Sequence, residues 1–144
     1  MSTLRILLVG LLIGFLLNIT GWLGNNLLIK DMWIEIGKEL PEIAWRNNIW
    51  SDLFSLAPDF LYGFAIAWLC TALKTDSYST ISNSVRAGIF VSMVGGITTY
   101  FAIANSGFIP WKLALASFIL VIITKLPLAI LAGKILKPIN KENV

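Results

Sequence analysis

One lysine sits deep inside an apolar run, and its chemistry is the first thing to explain. The run is Ile109–Gly133, and apart from Lys112 near its start Lys125 is its only ionisable residue. A cation at the centre of a membrane span costs from ~2.5 kcal/mol on insertion scales to several times that in simulation. Counted from the C-terminal end of the run, Lys125 lies roughly 13 Å in, at 1.5 Å per residue. Two readings follow. The side chain can run its stem out to the nearer headgroups. Alternatively it can stay inside and bind an anion or a lipid phosphate, or carry protons. Pro127, two residues on, has no N–H for the carbonyl of Ile123, which places a second polar group beside the lysine.

Asn18 is the next candidate. It belongs to a stripe of small and polar residues, Gly10, Gly14, Asn18, Gly21 and Asn25, spaced four, four, three and four apart on one helical face. Gly88, Ser92, Gly95 and Thr99 repeat the pattern further on. Such stripes let helices approach closely, and the simplest reading packs both against a shared neighbour. The alternative borders a cavity. By depth, Lys125 is level with Gly14, Ala65 and Gly95, where small side chains leave room for a ligand. The candidate binding set is therefore Lys125, Asn18, Gly14, Gly95 and Thr99. Asp59 follows Pro58, and that pair suits the first turn of a helix, with the carboxylate facing the positive end of the dipole; the alternative is that Asp59 binds a cation at the outer mouth. This reading puts Asp59 far from Lys125 and leaves no carboxylate at the lysine's level.

Much chemistry is excluded. The chain has no histidine and one cysteine, Cys70, so Ser-His or Cys-His catalysis, histidine-ligated haem and the usual zinc sites have no ligands or base. Cys70, inside an apolar run, reads as a small buried hydrophobe. Acid–base work would fall to Lys125, Tyr62 or Tyr100. The residues point to no enzyme, no metal and no particular cofactor.

The elements that must position these groups are four apolar runs, about 6–29, 58–73, 81–104 and 109–133. About 20 apolar residues cross about 30 Å of hydrocarbon. Hydrophobic residues make up 57% of the 144 and charged ones 13%, too few charges for a soluble domain of ordinary composition. The expected fold class is all-α, an integral membrane four-helix bundle forming one transmembrane domain over 1–144. The outer loop 30–57 is expected to carry one or two short interfacial helices. Asp31 would cap the first, with Trp33, Ile36 and Leu40 on one face, and Pro41 would open the second, through Ile43, Ala44 and Trp45. Residues 138–144 read as a disordered tail, and the first run as an uncleaved signal anchor.

Cations set the orientation. Arg5, Lys74, Arg86, Lys134, Lys137 and Lys141 fall on one side of a four-span arrangement. Lys30, Lys38, Arg46 and Lys112 fall on the other, against six acidic residues. Both termini are therefore expected in the cytoplasm, in a bacterial inner membrane. Trp33, Trp45, Trp50 and Trp111 gather at the opposite edge, where indole prefers to lie.

In loop lengths and hydropathy the whole chain resembles bacterial four-span families with a long first outer loop, a likeness that rests on no diagnostic motif. Small multidrug exporters share the size and span count, but they use a carboxylate in the first span, where this chain has Asn18. The expected function is a non-enzymatic accessory subunit or a lipid- or small hydrophobic ligand-binding protein. The alternative is a small oligomeric transporter or channel with Lys125 as an anion or proton site. Expected partners are membrane lipids and either a larger membrane complex or further copies of the chain. A net charge of +3, scattered along the chain, gives no reason to expect nucleic acid.

Overall fold

The computed structural model describes residues 2–39, 49–73 and 79–137, and among them there is helix and no strand. Four helices carry the chain. Helix α1 runs without a break through Thr3–Gly24, a π-helical Asn25–Ile29 and Lys30–Glu39. Helix α2 is Ile49–Ala72, α3 passes from Thr80–Gly96 through a π-helical Ile97–Phe101 to Ala102–Asn105, and α4 is Trp111–Ile135. The Ser79 side chain caps α3 by accepting from the Ser82 N–H at 3.2 Å. The turn into α4 is made at Gly107, whose φ of 78° suits a residue without Cβ.

The helices pair through their small residues. Gly63 of α2 lies against Gly10 and Gly14 of α1, so closely that a Cβ there would come within 2.8 Å of the Gly14 Cα. On the other side, Gly88 of α3 rests on Ala129 and Leu126 of α4, and Gly96 rests on Phe118. The two stripes thus have different neighbours, α2 for the first and chiefly α4 for the second, rather than the shared one expected. Arg5 joins the two ends of the chain. Its Nη2 donates to the carbonyls of Ile135 (2.5 Å) and Lys137 (3.4 Å), which α4 leaves without helical donors.

Buried apolar residues form two groups. One, near the termini, includes Ile13, Leu17, Ile66, Val91 and Ala129. The other, toward the far end, includes Ile29, Ala104, Leu113 and Ala114. The outer surface inverts the soluble pattern. Leu7, Leu8, Leu11 and Phe15 are each at least half exposed, while Asn83, Ser84, Ser92, Ser117 and Lys125 are buried. Among the described residues three helices are long and apolar enough to cross a membrane, and α2 contributes a shorter apolar stretch, Leu56–Ala72.

Two expectations about the first loop change. No new helix starts at Asp31, because the π turn keeps Ile29, Met32, Trp33 and Ile36 on the core side and α1 continues. Helix α2 begins at Ile49, so Pro58 lies inside it and not in its first turn. Leu40 and the expected helix from Pro41 through Trp45 lie outside the described residues, as does the tail 138–144.

Candidate functional site

Between the two apolar groups lies a cavity of about 570 Å³, with walls from all four helices. Lys125 projects into it from α4. A helical side chain leans toward the N-terminus of its own helix, which for α4 is the end away from the chain termini. The ammonium therefore does not run out toward the terminal end. Lys125 is only 4% exposed, and its Nζ sits 3.4 Å above the centre of the Tyr62 ring, where the π face attracts a cation. Gly95 makes that ring's position possible, because a Cβ there would fall 2.7 Å from the Tyr62 hydroxyl oxygen.

Asp59 is one turn from Tyr62 on the same face of α2, and it lines the same cavity. Its Oδ2 lies beside Gly21, 3.8 Å from where a Cβ would stand. The carboxylate and the ammonium of Lys125 attract one another across the space, yet no direct ion pair joins them. The expectation that no carboxylate shares the lysine's level is therefore wrong, and the cause is the misplaced start of α2. With ten residues of helix ahead of it, Asp59 is beyond the first turn, where a helix dipole acts.

Asn18 is anchored by its amide nitrogen, which donates to the carbonyls of Gly14 (3.0 Å) and Leu56 (3.4 Å). Its oxygen keeps its acceptor capacity. Both π-helical segments open onto the cavity, the first through Asn25 and Ile29, the second through Thr99 and Tyr100. A π turn inserts an extra residue and re-aims the side chains around it, and such turns are frequent at functional sites. Two of them, on different helices, flank one space.

Four of the five candidate residues from the sequence, Lys125, Asn18, Gly95 and Thr99, line this cavity. Gly14 does not: it packs on Phe60, whose Cα would lie 2.7 Å from an added Cβ. Ala65 belongs to the apolar group near the termini. Sequence reasoning misses Asp59, Tyr62, Trp33 and Tyr100 as wall residues. A usable signal existed, since Asp59 and Tyr62 are three apart and Asp59 directly precedes an apolar run. Cys70 is buried, with its sulfur 3.7 Å from the Ala129 carbonyl oxygen, and it does not line the cavity.

As chemistry, the site offers one cation, one carboxylate, an amide oxygen and aromatic faces around one partly open space. Such an inventory is suited to binding and orienting a ligand. Comparison with protein-family models, curated proteins and solved structures finds no match for this chain.

Proposed function

We propose that this chain is a multi-pass membrane protein, a four-helix bundle that binds a small amphipathic ligand in its central cavity without transforming it. The observation that carries the reading is the buried Lys125 facing a cavity it shares with Asp59. Opposite charges held inside apolar helices are expensive and are functional suspects by default. A volume of about 570 Å³ is the size of many small-molecule sites. The leucine-covered exterior, with Asn83, Ser84, Ser92, Ser117 and Lys125 turned inward, supports a lipid surround. The Arg5–Ile135 bond, which brings both ends of the helical array together, supports an even number of crossings, and the excess of cations at that end favours the cytoplasmic side.

Native mass spectrometry of the protein released from its membrane tests this reading. The expected result is a bound small molecule or lipid at one per chain, lost from the Asp59→Asn/Lys125→Met double variant. Chains that carry no adduct and bind no added amphiphile would refute it. Within this reading the chain works alone, as an oligomer or as the ligand-binding subunit of a larger membrane complex.

The second reading is a small transporter in which Lys125 passes an ion or proton. The specific observation in its favour is Asp59, a titratable partner facing the lysine across the same space. Proteoliposomes that acidify or take up anions only with Lys125 intact would support it over simple binding.

A further inference from the structure

We infer that the ligand of this cavity is a zwitterion, a molecule with an ammonium and a phosphate or carboxylate a few bonds apart. The inference rests on the binding role proposed above and specifies its chemistry. Lys125 and Asp59 stand on different walls of one space, attract each other, and are not in direct contact. Each therefore keeps hydrogen-bonding capacity that no described residue uses.

Four ligand classes can be weighed against that arrangement. An anion would meet Lys125, but the carboxylate would repel it and remain unpaired. A cation would meet Asp59 and face the opposite difficulty. An apolar molecule would displace water from both groups and compensate neither, and a buried unpaired charge is costly. A zwitterion lying between the walls pairs each group with its opposite and leaves the enclosure neutral. The remaining features fit the same orientation. The unused Asn18 oxygen and the Asp59 carboxylate, near one another through Gly14 and Gly21, accept from the ligand's ammonium. Trp22, Trp33 and Tyr100 supply aromatic walls for the uncharged remainder. Tyr62 holds the Lys125 ammonium from below, so the lysine is in place before the ligand arrives.

Two sources can offer this chemistry, the headgroup of a zwitterionic lipid and a free zwitterionic solute. The experiment uses the full chain in nanodiscs of phosphatidylglycerol and follows tryptophan emission, since Trp22 and Trp33 line the space. The probes are short-chain phosphatidylethanolamine, glycerophosphoethanolamine, short-chain phosphatidylglycerol, hexylammonium and short-chain diacylglycerol. The expected result is that a zwitterionic probe binds at least tenfold tighter than the anionic, cationic and neutral ones. Tighter binding of the lipid form identifies a membrane source, and comparable binding of glycerophosphoethanolamine identifies a free solute. Because single variants strand one charge and can fail to fold, the Asp59→Asn/Lys125→Met double variant is the control. It should lose the tenfold preference while keeping the helical circular dichroism of the parent. Preference for the anionic, cationic or neutral probe, or a preference that survives in the double variant, overturns the inference and leaves the binding role standing. Binding of no probe at all overturns both.

Discussion

Replacing Gly63 by alanine adds a single methyl group at the tightest contact between α1 and α2. The atoms it would meet are backbone, the Gly14 Cα at 2.8 Å and the Gly10 carbonyl oxygen and Gly14 nitrogen closer still. Carbon atoms rest about 3.5–4.0 Å apart, so the helices must separate by roughly 1 Å. A gap of that order forfeits about a quarter to a half of the dispersion well for each facing pair. Overpacking costs about 1–3 kcal/mol, and a backbone partner that cannot swing aside puts this case at the upper end. At tenfold per 1.4 kcal/mol, about 3 kcal/mol lowers the folded ratio by about two decades. For a chain of this length it lowers the melting midpoint by about 6–12 °C. The assay is thermal unfolding in a mild detergent, read by light scattering and circular dichroism. Gly107→Ala is the control, because nothing lies within 4 Å of an added Cβ there and the cost, about 1–2 kcal/mol, comes from φ alone. The control should melt lower without weakening a cross-link engineered between α1 and α2, whereas Gly63→Ala should weaken that cross-link. A Gly63→Ala protein that melts within about 2 °C of the parent would refute the close-packed seam.

The other expectations concern the lysine's support and the joined ends. Tyr62→Phe keeps the ring under the Lys125 ammonium and should cost under about 0.5 kcal/mol, while Tyr62→Leu removes it and should cost about 2 kcal/mol. Equal unfolding midpoints for the two variants would show that the ring does not hold the cation. Arg5→Leu leaves the last carbonyls of α4 without their charged donor, worth about 1.5 kcal/mol. Amide exchange near Ile135 should then speed up by about tenfold, and unchanged protection would discount the bond.

The outline of the fold was legible because apolar runs and small-residue spacing are periodic signals. The Gly10–Gly14 pair and Gly88 do pack on neighbouring helices, but not on the shared neighbour expected, and Gly95 and Thr99 of the second stripe border the cavity instead. The errors trace to local backbone features that residue types do not reveal. A π turn carries no composition of its own, so Asn25–Ile29 gave no warning that α1 continues past Asp31. Proline is at home both at a helix start and, at a cost, inside one, and placing Pro58 in a first turn separated Asp59 from the cavity it lines with Lys125. Lys125, Asn18, Gly95 and Thr99, which line the cavity, stand out in the sequence because a charge or a small residue is conspicuous among leucines. The aromatic wall residues do not, because tyrosine and tryptophan have ordinary reasons to be in such helices.

Helix α1 has one further mechanical consequence. The apolar helix counted from Thr3 to Lys38 has 36 residues, about 54 Å at 1.5 Å each, against about 30 Å of hydrocarbon. Under the proposed membrane reading its distal turns extend past the oily layer as a mast braced on the bundle by Met32, Trp33 and Ile36, with Asp31, Glu35 and Lys38 on its exposed side. Trp33 belongs to that mast and also to the cavity wall. Whatever grips the exposed tip has a lever on the chamber below, because no loop intervenes to absorb the push.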